Sequence, residues 1–78
     1  MSKRLPIVSG EDVVKALSKI RYKVVRQRRS HLRLKDSTNP SHKPITVPLH
    51  KELKPGLLRK IIKDADLSVE EFKKLLGR

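Results

Sequence analysis

At 78 residues the chain is near the lower limit at which one hydrophobic core sustains a fold, so a single small domain is expected. Twenty Lys and Arg against eight Asp and Glu leave a formal charge of +12, which repels itself unless a polyanion or an acidic protein balances it. No cysteine is present, which excludes disulfides and thiolate metal sites, and one Phe, one Tyr and no Trp exclude a platform of aromatics stacking successive bases.

No apolar run of signal-peptide type opens the chain and none reaches membrane-spanning length. No helix pairs a basic face with bulky aromatic anchors either. The expectation is a soluble, cytoplasmic protein without a membrane partner.

Residues 1–8 read as an extended N-terminal arm, because Pro6 opposes helix. Residues 9–78 then form the domain. Ser9 starts a helix with Asp12 in the acid position of a capping box, and Val13, Val14, Leu17 and Ile20 recur at helical spacing until about Arg21. Tyr22 to Arg28 and His31 to Lys35 read as strands. In the second, Leu32 and Leu34 take one face and His31, Arg33 and Lys35 the other. Asp36 to Lys43 is a polar loop, and Ile45 to Leu49 a third strand that Pro48 confines to an end or an edge. Pro55 opens a second helix whose apolar stripe is Leu57, Leu58, Ile61, Ile62 and Ala65. Asp66 breaks it, and Ser68 with Glu71 caps a short last helix carrying Val69, Phe72, Leu75 and Leu76. The order predicts an α+β fold: helix, three-stranded antiparallel sheet, helix, short C-terminal helix, with the helices on one sheet face.

Arg21, Lys23, Arg26, Arg28, Arg29, Arg33 and Lys35 crowd one stretch, and no acid occurs between Val13 and Lys35. Such a strip suits a phosphate polymer, since each cation engaged releases condensed counterions. His31 lies inside it with strand parity toward the open face, and its side chain trades protons near neutral pH. A lone exposed histidine is more often a bystander, so the residues alone favour one that merely adds to the footprint. Ser30 points away from its neighbour in an extended strand, which argues against a Ser30–His31 dyad. His42, in the polar loop, reads as solvated. His50 either approaches the sheet face or turns away. The three histidines match no zinc spacing and the acids sit at helix starts and breaks, so no metal and no small-molecule cofactor is expected.

An ordered set of stretches resembles the HicA family of toxin ribonucleases. They are Val8-Ser9-Gly10, Val24-Val25-Arg26-Gln27 leading into Ser30-His31, and Ile45-Thr46-Val47-Pro48. The set continues through Lys51-Glu52-Leu53-Lys54-Pro55-Gly56, Leu58-Arg59 and Leu67-Ser68-Val69-Glu70-Glu71-Phe72. The resemblance implies a fold like double-stranded RNA-binding domains, cleavage of mRNA, and neutralisation by a HicB-type antitoxin. It places the catalytic residue at His31, and RNA contacts are expected at Arg26, Arg28, Arg29, Ser30, Arg33, Lys35 and Lys54. Three glycines of the family pattern are replaced: the one before Ser-His by Arg29, and those ending the two main helices by Arg21 and Asp66. A left-handed cap costs Arg more than Asp. At Arg29, glycine would let RNA backbone approach closely; a guanidinium either blocks that approach or adds a phosphate contact.

RNA carries its own nucleophile, the 2′-hydroxyl, so a metal-independent endoribonuclease with one histidine is the expected mechanism. His31 would be general base or acid, with water or His50 in the complementary role, and Arg33 with Arg28 or Arg29 stabilising charge on the phosphate. The alternative is a non-catalytic RNA-binding module of the same fold.

Overall fold

Ser9 and Asp12 close the expected capping box. The Ser9 hydroxyl accepts from the Asp12 N–H and the Asp12 carboxylate accepts from the Ser9 N–H, each at 3.1 Å. Helix α1 (Gly10–Ser18) follows from that cap. A computed structural model describes residues 4–77; the first three residues of the expected arm, and Arg78, lie outside the described residues. Strands β1 (Lys23–Arg28), β2 (His31–Lys35) and β3 (Ile45–Pro48) form one antiparallel sheet in the order β1-β2-β3. Helices α2 (Pro55–Asp64) and α3 (Val69–Leu76) complete the chain, α2 with Pro55 in its first turn and α3 with a Ser68–Glu71 capping box. This is the α+β helix–sheet–helix order that the residue pattern predicts. No helix among the described residues is long and apolar enough to cross a membrane.

The inner sheet face carries Leu34, Ile45 and Val47, which are buried in one cluster with Val13, Ala16, Leu17, Leu58, Ile61 and Phe72. Fully burying an aliphatic or aromatic side chain of this size is worth about 2 kcal/mol, so β2 is held to the core chiefly through Leu34. The expected arm contributes as well. Val8 is buried in the same cluster, Leu5 packs against it, and the Val8 carbonyl accepts from the Leu53 N–H at 2.9 Å.

Two features depart from simple alternation. The β1–β2 register shifts between Val24 and Arg26, which leaves Val25 as the extra residue of a bulge. The shift puts Val24 on the same sheet face as Leu34, where it stays 47 % exposed, and brings Lys23 opposite Lys35. His42, expected to be solvated, is instead half-buried, with Nδ1 2.8 Å from Oδ2 of Asp36 and its ring stacked on Tyr22 at 5.1 Å. Asp36 is a buried acid, and its other oxygen accepts from the N–H and the hydroxyl of Thr38. Burial of that carboxylate explains the difference, because an ionised group taken out of water must recruit donors, and the loop folds back to supply them. Tyr22 donates its hydroxyl to the carbonyls of Lys43 (2.8 Å) and Asp64 (3.3 Å). Its ionisation is pushed up to about 12, by burial first and then by the charges of Asp36 and Asp64. The phenol therefore stays a donor throughout the working range and ties the loop to the end of α2.

The non-glycine residues with positive φ among those described are Arg21 (79°), Arg29 (56°) and Asp66 (57°). They are the same three positions at which the resemblance leads one to expect glycine. Arg21 follows α1, Asp66 follows α2, and Arg29 opens the two-residue turn between the paired Arg28 and His31. Such turns demand positive φ at their first position. Backbone conformation thus accounts for the glycine expected there.

A left-handed conformation costs an L-residue about 1–2 kcal/mol, and glycine returns part of that as unfolded-state entropy, about 0.5–1 kcal/mol. Arg21→Gly and Arg29→Gly should each raise the unfolding free energy by about 0.5–1 kcal/mol, and Asp66→Gly by less. Unchanged or lowered denaturation midpoints for the two arginine variants would refute this account. The Asp36 carboxyl is held below its usual value of 3.8 by the Thr38 hydroxyl first, then the Thr38 N–H and His42, against the opposing effect of burial. A depressed native pKa contributes stability that is present above the unfolded value and lost as pH falls through the native one. Urea midpoints followed from neutrality to about pH 2 should therefore drop below the normal carboxylate range in the wild type, and Asp36→Asn should flatten that drop.

Candidate nucleic-acid interface

Residues opposite each other on antiparallel strands point to the same face. The register pairs Arg28 with His31, Arg26 with Arg33 and Lys23 with Lys35, and on the other side His31 with Pro48 and Arg33 with Thr46. One face of the sheet therefore gathers Lys23, Arg26, Arg28, Arg33 and Lys35 around His31, and all six side chains are exposed. Strand parity anticipates the β2 members. Lys23 joins them only through the bulge at Val25.

This face is electrostatically unfavourable in isolation. Arg26 opposes Arg33 and Lys23 opposes Lys35, and like charges directly across a strand pair destabilise a sheet. The arrangement suits a ligand that supplies negative charge along the strands, where cations at alternate residues stand roughly 6.5 Å apart. Arg33 is further oriented by donating from Nη1 to the Thr46 hydroxyl at 3.1 Å, which uses one of its five donors.

The hairpin end of the face carries Arg29 and Ser30. The Arg29 carbonyl accepts from the Gln27 side-chain amide at 3.3 Å, and the Ser30 carbonyl accepts from the Leu49 N–H at 2.7 Å. Both side chains are exposed, Arg29 adding a guanidinium beside the His31 end of the sheet. Lys54 stands apart as the exposed N-cap residue of α2, outside the sheet, with no side-chain capping bond. The sheet thus brings together Arg26, Arg28, Arg33, Lys35 and His31, with Arg29 and Ser30 at its end.

His50 is the residue that chain order alone leaves unplaced. Its ring lies 6.4 Å from that of His31, centroid to centroid, at 72° between planes. The pairing of His31 with Pro48 carries the signal that could have located it, because His50 follows that partner by two residues. Two exposed imidazoles beside a cationic sheet can take and give protons at a bound phosphodiester.

The family model described as HicA toxin of bacterial toxin–antitoxin matches residues 10–67. No curated protein and no solved structure matches the chain. The matched span runs from the first residue of α1 past the end of α2, and so includes the whole sheet and its cationic face. The chain therefore belongs to the HicA toxin family, the toxins of bacterial toxin–antitoxin systems, whose members have a cognate antitoxin as partner.

Proposed function

We propose that the chain is a metal-independent endoribonuclease that cuts mRNA, with His31 as the acid–base residue and a HicB-type antitoxin as its inhibitor. The observation that carries this reading is the placement of His31 on an open sheet face with five exposed cations and no acid. Arg28 lies across the strand from it and Arg33 two residues along. The cations supply binding energy for the RNA backbone, largely as counterion release. Arg33, preset by Thr46, stabilises charge building on the phosphate, and His31 moves the proton of the 2′-hydroxyl or of the leaving 5′-oxygen. No metal is needed for this route, because the substrate provides the nucleophile. Arg26, Arg28, Arg29, Ser30 and Lys35 hold the RNA backbone in this reading, and Lys54 contacts it from outside the sheet. An acidic face of a HicB-type antitoxin would cover the same cations and balance the charge of +12.

His31→Ala should lower cleavage of labelled RNA by about 10²–10⁴-fold while leaving fold and most RNA affinity in place. A chelator should change neither protein. Full cleavage by the variant, or bound RNA left intact by the wild type, would instead favour the non-catalytic RNA-binding module. Arg33→Ala tests the charge-stabilising role. It should cut the rate by about 10²-fold, the usual effect of removing one transition-state donor, and reduce the salt dependence of binding by about one counterion. A loss confined to affinity, with turnover of bound RNA unchanged, would reduce Arg33 to a tether.

A further inference from the structure

An in-line cleavage needs two proton transfers at opposite ends of one phosphodiester. A base takes the proton of the attacking 2′-hydroxyl, and an acid gives one to the departing 5′-oxygen. A single histidine performs one of these in a given turnover. The two groups must stand several ångströms apart, since each lies within about 2.6–3.2 Å of its own oxygen with the phosphorus between them. His31 and His50 meet that demand, with ring centroids 6.4 Å apart and planes near perpendicular.

The segment carrying His50 is clamped by backbone on both sides. Pro48 pairs with His31 in the sheet register, the Leu49 N–H donates to the Ser30 carbonyl at 2.7 Å, and the His50 carbonyl accepts from the Gly10 N–H at 2.9 Å. Helix α1 approaches so closely here that a Cβ on Gly10 would stand 2.1 Å from the Pro48 oxygen and 2.9 Å from the Leu49 Cα. Only glycine fits at that contact. The backbone of residues 48–50 is therefore fixed against both the hairpin that carries His31 and the start of α1. Both rings are exposed, in contrast to His42, which is held by the buried Asp36. On the sheet Arg28 opposes His31 and Arg33 follows it by two residues, Arg29 precedes it in the hairpin turn, and in the chain Lys51 and Glu52 follow His50 and Glu11 follows Gly10.

We propose that His50 is the second acid–base residue of the cleavage, working opposite His31 across one phosphodiester. The inference rests on the ribonuclease reading above. One neutral imidazole accepts the 2′-hydroxyl proton as the 2′-oxygen bonds to phosphorus. The other, protonated, delivers its proton to the 5′-oxygen as the P–O5′ bond breaks. The products are a 2′,3′-cyclic phosphate and a free 5′-hydroxyl. No water, metal or electron enters the balance.

The test is His50→Gln beside His31→Ala, with circular dichroism and RNA binding confirming that both remain folded and binding. On RNA, His50→Gln should lose about 10²–10⁴-fold in cleavage rate, and the bell-shaped pH–rate profile of the wild type should lose one limb. A second substrate, uridine 3′-(4-nitrophenyl phosphate), has a leaving group that needs no proton. The variant lacking the acid should recover most of its rate on it, and the variant lacking the base should not. Recovery in one variant and not the other establishes the pair and assigns its roles. Wild-type rate and profile in His50→Gln would overturn the role of His50 while leaving the ribonuclease reading intact, as would recovery in both variants or in neither. Absence of cleavage by the wild type would overturn both.

Discussion

Strand β2 is hydrogen-bonded on both sides, and its two-residue period is the constraint on which the rest of the molecule turns. Leu34 is wholly buried beneath it and cannot rotate out without opening the core. That fixes the opposite parity for His31, Arg33 and Lys35, and through the register it fixes the face on which Arg26 and Arg28 emerge. A slip of one residue would bury three cationic or titratable side chains and expose two leucines. Core packing and the presentation of charge are therefore one specification, written in five residues. The five cations of the strands sit on the outer face of the sheet, where water and a polyanion can reach them, while Leu34, Ile45 and Val47 meet the helices on the other side.

Most of this was legible in the sequence because its causes are local. Strand alternation, two capping boxes and Pro55 at a helix start each act within a few residues, and each element they predict is present. What the sequence did not show depends on distant partners. The bulge at Val25 sets whether Val24 or Lys23 shares the face of Leu34, and it exists only in the register against the neighbouring strand. Asp36 looks like a turn residue by composition. Its carboxylate is bonded by His42, whose ring stacks on Tyr22, and the Asx-type bond from the Thr38 N–H was the one local hint. His50 follows a proline in an irregular stretch, and its place beside His31 is decided by contacts with Ser30 and Gly10, about twenty and forty residues away in the chain.

The Gly10 contact shows how a small core can still hold surface side chains in register. The N-terminus of α1 has unpaired N–H donors, and one of them is satisfied by the His50 carbonyl. That bond and the absence of a side chain at Gly10 let the helix sit directly on the 48–50 backbone. The capping box at Ser9 and Asp12 orients the same helix end, so the cap serves the position of His50 as well as the stability of α1. Precision at the candidate site comes from backbone contacts on two sides. A chain with few bulky aromatics cannot obtain it by packing large side chains around the site.

The three left-handed residues sharpen the relation between stability and function in this chain. Arg21, Arg29 and Asp66 all occupy conformations that glycine adopts freely, so each carries a cost that a single substitution would relieve. At Arg29 the cost has a return within the proposed function. The guanidinium stands at the hairpin end, next to Ser30 and His31, and extends the cationic face beyond the last strand pair. Strain held at a position that also places charge beside the candidate site follows the pattern of strain stored where ligands bind. Arg21 has a smaller return of the same kind, since it adds an exposed cation before the strand bearing Lys23. Asp66 has none: it is acidic, follows α2 and lies outside the sheet. The three replacements therefore separate by chemistry. Two exchange stability for positive charge, and the one that adds negative charge is also the one whose side chain tolerates the left-handed conformation best.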